Sequence, residues 1–446
     1  MIGHDSADMT GMSGVGRTNP TLKPIRGLNW AVAGTGVLAF AYVLHVALST
    51  RTSGDYAPRG VVTGDNAAPA VRALSHLNIS AYLSHQPAIG LTSLILRAPL
   101  LAIVRALGGR YPLGYQLGSV VCMVPLIALA CWVMASLLRR TELSSARASI
   151  IGAVAVALLA ASPVNRQALL AGHPEEILTG ALTVAAVLMA RSGRANWAGL
   201  LLGLAIGSKA WGVIAAAPVL LALPGSRRHV ALIAGAVVAV SALAPVLADL
   251  SAFRHALHYE GVQHLVNPLS FWWPVSSPLH FPGIVTRKMP LGLSRTTASA
   301  ITMAVVLPGF ALLWRAAHRR GFNVEPLALL ALLGVLRTVC DSTHLEYYYE
   351  AALIPLVVWE TCGARRLPVL SACAMAAVAA SFGVGSTLAP ALLNVLSIGL
   401  SCALATHLAR RSFFASPVRQ AVKAEQRPGL GRILGSRLRA VHPLSS

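Results

Sequence analysis

Long apolar runs, separated by short clusters of arginine, recur from Leu28 to Leu408. The first, Leu28 to Ser49, follows Arg17, Lys23 and Arg26. Basic residues favour the cytoplasmic side of a bilayer, so the chain is expected to start inside. The next apolar stretch, Ala88 to Leu107, poses a choice. If it crossed the membrane, Arg139, Arg140 and Arg147 would fall outside, against that rule. It also carries Arg97 and Pro99, and a charge near mid-membrane is costly. The pattern therefore predicts a juxtamembrane helix pair on the outer surface, broken at Arg97-Ala98-Pro99, with the next crossing at Pro112 to Leu138.

The later runs then alternate. Ile150 to Ala161 leads out, and Ile177 to Ala190 returns to Arg191 and Arg194. Ala198 to Leu223 is too long for one span and is interrupted at Gly207-Ser208-Lys209. It is expected to leave and return as two short halves, with Lys209 at the outer turn. Val230 to Leu247 leads to an external loop over Asp249 to Leu293. Ala298 to Trp314, Leu327 to Val339, Tyr349 to Glu360, Val369 to Phe382 and Leu388 to Leu408 complete about 12 crossings by this reading. The expectation is an all-α polytopic protein of the cell membrane with both termini cytoplasmic. Residues 1–27 read as a disordered lead, 28–409 as the transmembrane domain with its first external loop at 50–111, and 410–446 as a basic tail.

Composition agrees. Of 446 residues, 55% are hydrophobic and 11% charged, against about 25% charged in soluble proteins. The net charge of +21 does not point to nucleic acid, because the basic residues sit in clusters between apolar runs. The arginines and lysine from Arg410 to Arg439 suit anionic lipid headgroups. The six cysteines form no CxxC pair and read as packing residues. No histidine spacing suits zinc, so no metal or other cofactor is indicated.

The topology sorts the polar residues. Asp55, Asp65, Glu175, Glu176, Asp249, Glu260, Asp341, Glu346 and Glu350 fall at or beyond the outer surface, with His76, His85, His173 and His344 among the histidines there. The cytoplasmic loops are short and lack a glycine-rich phosphate cradle. The chemistry is expected at the outer face.

Four pieces carry a family resemblance. Gly64-Asp65-Asn66 leads into a helix in the first external loop; His85-Gln86-Pro87 precedes the juxtamembrane helices. Gly172-His173-Pro174-Glu175-Glu176 stands at an outer membrane edge, and AGLLLGLAIGSKAWG spans Ala198 to Gly212. In this order they resemble the GT-C superfamily of membrane glycosyltransferases, most of all the polyprenyl-phosphate-mannose-dependent members of family 87. The resemblance implies a GT-C fold, a polyprenyl-phosphate-linked sugar as donor, mannose for instance, and a lipid or glycan acceptor.

Such a transfer needs a base for the acceptor hydroxyl, and Asp65, placed as a helix N-cap, is the candidate. Its bland alternative is a simple cap. The departing phosphate needs cations. Lys209, at a helix break, and Arg337, near the outer end of its span, are candidates. Their alternatives are a snorkelling lysine and a structural pair of Arg337 with Asp341. His85, His173, Glu175, Glu176 and His344 are candidates for substrate binding. Tyr347, Tyr348 and Tyr349 read equally as a sugar site or an interfacial aromatic belt. A transporter or flippase of lipid-linked saccharide, or an inactive relative, stays open on the sequence alone.

Overall fold

The computed structural model describes residues 26–49, 67–84, 90–140, 143–251, 265–281, 284–290, 324–341, 345–383 and 389–413, with isolated positions between 253 and 319. Sixteen helices are used below. They are α1 (Arg26–Ser49), α2 (Ala67–Ser75), α3 (Ile79–Ser84), α4 (Leu91–Ala106), α5 (Tyr111–Cys122), α6 (Val124–Leu138), α7 (Ser145–Ala160) and α8 (Pro163–Leu170). Then come α9 (Pro174–Arg191), α10 (Ala195–Ser208), α11 (Ala216–Ala222), α12 (Arg227–Ala248), α13 (Pro326–Cys340), α14 (Glu350–Val358), α15 (Val369–Gly383) and α16 (Pro390–Phe413).

Among the described residues, five segments are long and apolar enough to cross a membrane: Trp30–Ser49, Tyr111–Leu138, Ser145–Leu170, Pro224–Ala248 and Pro390–Phe413. Two of them bend at prolines. Pro125 stands in the first turn of α6, where its missing N–H costs no helical bond, so the helix restarts after Met123. Pro163 does the same for α8, and the Ser162 hydroxyl caps that start by accepting from the Asn165 N–H at 3.0 Å.

The centre of the bundle is α9. It is buried on nearly every side, as an Ala/Gly/Val helix with no solvated face must be. Its two threonines turn their hydroxyls back on the helix, Thr179 to the Glu175 carbonyl at 2.7 Å and Thr183 to that of Gly180 at 2.8 Å. Around it pack α10, α14 and α6, joined through one continuous apolar core.

Three close backbone approaches place the elements that carry polar side chains. At Gly334 a Cβ would lie 2.2 Å from the Ala351 carbonyl oxygen, so α13 and α14 touch there. At Gly90 a Cβ would lie 1.9 Å from the Gly207 oxygen, and the Gly90 N–H donates to the Ser208 carbonyl at 3.1 Å. This seats the start of α4 on the end of α10. At Gly212 a Cβ would meet the Ala205 backbone at 2.8 Å, so the 3₁₀ turn Ala210–Ala215 folds back along α10.

The expected break after Ser208 is therefore present. The sequence reading fails elsewhere. Helix α4 is one continuous helix through Arg97 and Pro99, not a broken pair. Proline costs a helix only one backbone bond, and packing of the buried face against α2 and α5 outweighs that loss. The expectation of an all-α chain also needs amending. Within the loop beyond α12, β1 (Leu265–Val266), β2 (Ser277–Phe281) and β3 (Ile284–Lys288) form an antiparallel sheet in the order β1-β3-β2. Phe271 to Ser276 tie this loop to the end of α13: the Trp272 indole donates to the Cys340 carbonyl at 3.1 Å. Most of the expected span from Ala298 to Trp314 lies outside the described residues.

Replacing Gly334 by Ala is expected to push α13 from α14 and destabilise the protein by about 1–3 kcal/mol. Thermal unfolding of the purified protein in detergent reads this. An unchanged melting temperature would mean the helices slide apart without cost.

Candidate active site

The two carboxylates that open α9 are the centre of a buried ionic cluster. Glu175 and Glu176 sit in the first turn, where the helix dipole favours negative charge, and both are fully buried. Pro174 fixes the first helical position and turns the chain sharply out of His173.

Glu175 faces three basic groups. Its Oε1 lies 2.8 Å from His173 Nδ1 and 3.4 Å from Lys209 Nζ. Its Oε2 lies 3.8 Å from Arg97 Nη1. Glu176 shares Lys209 and adds Arg337. Its Oε1 is 3.1 Å from Lys209 Nζ, and its Oε2 accepts from the Trp211 indole at 2.6 Å and lies 4.0 Å from Arg337 Nη2. Lys209 thus bridges both acids.

Each cation is held by a different piece of the fold. Arg97 comes from α4 and stacks on the Tyr115 ring, with 4.3 Å from Cζ to the centroid. Lys209 stands in extended backbone between α10 and the 3₁₀ turn, at the expected break. Arg337 comes from the last turn of α13 and donates from Nη1 to the Tyr348 carbonyl at 3.0 Å. Its guanidinium also lies over the rings of Tyr348 and Trp211, at 4.7 and 5.1 Å. The His173 ring stacks on Tyr347 at 4.8 Å.

Exposure within the cluster is uneven. Arg97 and both glutamates have no accessible side-chain surface, whereas His173 and Lys209 keep 17% and Arg337 keeps 10%. The acids form the floor, and the groups that reach open space are basic. A floor of this kind orients cations towards an anion.

The sequence-derived candidates divide plainly. His173, Glu175, Glu176, Lys209 and Arg337 come together here. Asp65, His85 and His344 lie outside the described residues. The expected pair of Arg337 with Asp341 is not what holds the arginine: its ion pair among the described residues is Glu176, because Asp341 closes the end of α13 with backbone bonds while Arg337 reaches across to α9. Lys209 is likewise no snorkelling lysine, being fixed by two carboxylates. Tyr347 and Tyr348 are buried against this cluster rather than spread along an interface.

Arg97, Trp211, Tyr115 and Glu350 belong to the same region and were not among the candidates. The signal for Arg97 was present, since an arginine in an apolar helix needs an acid. Glu350, at the start of α14, is fully buried near Glu176, and neither of its carboxyl oxygens has a hydrogen-bond partner among the described residues. No group of three metal-ligating side chains occurs among the described residues.

The model of glycosyltransferase family 87 matches residues 90–342, more than half of the chain. The chain belongs to glycosyltransferase family 87. The matched region holds α4, the start of α9, the Lys209 break and Arg337, so every ionic partner above falls inside it. No curated protein and no solved structure matches the chain. Membership makes the protein a glycosyltransferase of the membrane-helix type.

Glu175→Gln is expected to destabilise this family 87 protein by about 3–5 kcal/mol, because buried cations then lose their counter-charge. The half-exposed pair of Arg191 with Glu325, at 3.1 Å, is the comparison: Arg191→Ala is expected to cost no more than about 1 kcal/mol. Unfolding midpoints of the two variants measure the contrast. Equal effects would mean that water reaches the cluster freely.

Proposed function

We propose that the protein transfers a single sugar, mannose being the first choice, from a polyprenyl-phosphate carrier to a lipid or glycan acceptor at the outer face of the cell membrane. The observation that carries the reading is the pair of cations, Lys209 and Arg337, both held on two buried glutamates and each keeping some exposed surface. A sugar linked to a lipid phosphate leaves behind a phosphate whose charge grows as the glycosidic bond breaks. Preoriented cations lower the energy of that state more than that of the bound donor, and so they raise the rate.

The step is a displacement. The acceptor hydroxyl oxygen forms a bond to the anomeric carbon, the carbon–oxygen bond to phosphate breaks, and the electron pair leaves with the polyprenyl phosphate. The hydroxyl proton goes to a carboxylate, assigned to Asp65 in the first external loop. His173, Glu175, Glu176, His85 and His344 are assigned to shaping the donor site. Twelve crossings with both termini inside would put this site at the outer surface. Crowding of the ionic residues at the ends of α9, α10 and α13, with no charge pair midway along them among the described residues, favours this over a transporter.

Three outcomes are expected. Lys209→Ala weakens binding of a polyprenyl-phosphate donor analogue and slows transfer, while Lys209→Arg restores only part, because a planar fork replaces a compact ammonium. Normal donor binding in a folded Lys209→Ala protein would remove the phosphate role. Asp65→Asn keeps the fold and loses transfer by about 100-fold or more, read by mass spectrometry of products from polyprenyl-phosphate-mannose and a membrane lipid extract. Unchanged turnover would move the base elsewhere, with Glu175 and Glu176 next in line. For topology, a cysteine at exposed Leu107 should react with an impermeant thiol reagent on intact cells above the wild-type background, and one at exposed Ala146 should not. The reverse pattern would place the site inside.

A further inference from the structure

A cavity beside α14 is lined by none of the residues of the ionic cluster. It has a volume of about 320 Å³ and runs between α14, α15 and α16. Its walls are small and apolar, with Ala374 and Ala377 on α15 and Leu400 and Leu404 on α16. One end is marked by Tyr349 and Ser397, the other by Leu370 and His407. Along α16 from Ser397 to His407 this is about 15 Å at 1.5 Å per residue, or half of a hydrocarbon core of about 30 Å. A groove of this depth matches one leaflet.

Its two ends differ in charge. At the His407 end, the charged groups that act on the imidazole are Arg411, Arg366, Glu360 and Arg410. Glu360 is already spent: it is buried, pairs with Arg366 at 3.1 Å, and accepts from the N–H and hydroxyl of Ser371 at 2.7 Å each. Arg410 and Arg411 are exposed and make no ion pair among the described residues. His407 Nε2 is buried without a hydrogen-bond partner among the described residues. An apolar slot one leaflet deep, with two exposed arginines one helical turn beyond His407 at one end and unpaired among the described residues, is complementary to an amphiphile with an anionic head. The cations stand at the opposite end from Lys209 and Arg337, so this is not the donor phosphate site.

We infer that the groove between α14, α15 and α16 binds one anionic phospholipid, with an acyl chain along Ala374, Ala377 and Leu404 and its phosphate at His407, Arg410 and Arg411. The inference rests on the membrane-embedded fold and not on the identity of the sugar donor. A lipid held there would brace α14, whose first turn carries Glu350 and follows Tyr348, the residue whose carbonyl anchors Arg337.

The test uses the full chain in detergent, with phosphatidylglycerol or phosphatidylcholine of the same acyl chains added back. Phosphatidylglycerol is expected to raise the melting temperature by about 2–4 °C more than phosphatidylcholine. The double variant Arg410→Ala, Arg411→Ala should lose that difference while keeping its melting temperature in phosphatidylcholine. Ala377→Phe, which fills the slot, should lose it too, with Ser401→Leu as a second filling variant should Ala377→Phe fold poorly. Phosphatidylglycerol carrying a diazirine in its acyl chain should label peptides of α15 and α16 in the wild type. Equal shifts with both lipids would overturn the inference. So would a phosphatidylglycerol shift that survives filling of the groove, which would mean that the basic tail alone attracts the lipid. Labelling spread over all the helices would overturn it as well.

Discussion

Two carboxylates buried in the first turn of one helix set the terms for much of this structure. A carboxylate without solvent is tolerated only with a counter-charge close by. Glu175 and Glu176 draw theirs from α4, the break after α10 and the end of α13. Those elements are far apart in sequence, so α9 is the axis on which the two halves of the described core are registered. The apolar core supplies most of the burial. It does not by itself say which helix faces which, whereas a bad ionic match would cost several kcal/mol.

The backbone approaches serve the same end. Gly90 against Gly207 brings α4 close enough for Arg97 to reach Glu175, and Gly212 lets the chain reverse so that Lys209 and Trp211 flank Glu176. Gly334 lets α13 lie on α14, one turn from Arg337. In each case the missing side chain stands near a charged residue of the cluster. The family 87 chain thus has its buried ionic cluster at places where helices touch backbone to backbone.

Much of this was legible in the sequence. Apolar runs and arginine clusters marked most helices, and Gly-Ser-Lys inside an apolar run marked the break, since a lysine there needs polar company. Arg337 was singled out from residue type and position, and His173, Glu175, Glu176 and Lys209 from the same features together with the motifs that carry the family resemblance. What failed did so for a physical reason. Asp341 looked like the partner of Arg337 because local spacing is visible in a sequence, while Glu176 lies across a tertiary contact that is not. Arg97 looked like a surface residue because a charge on an apolar helix reads as misplaced until its acid is known. The strands of the loop beyond α12 are short and carry no strong alternation, so periodicity could not reveal them.

The bridging position of Lys209 has a consequence for biogenesis. Chains enter the bilayer as they are made, N-terminal elements first. Arg97 precedes α9, but Lys209 follows Glu175 by 34 residues and Arg337 comes later still. When α9 has been synthesised, its acids therefore have one of their permanent cations already made and two not yet made. Arg97 is the only one of the three that can accompany α9 from the start, and the lysine and second arginine complete a neutralisation already begun. An arginine with no exposed side-chain surface is thus the first permanent counter-charge that these two acids can meet.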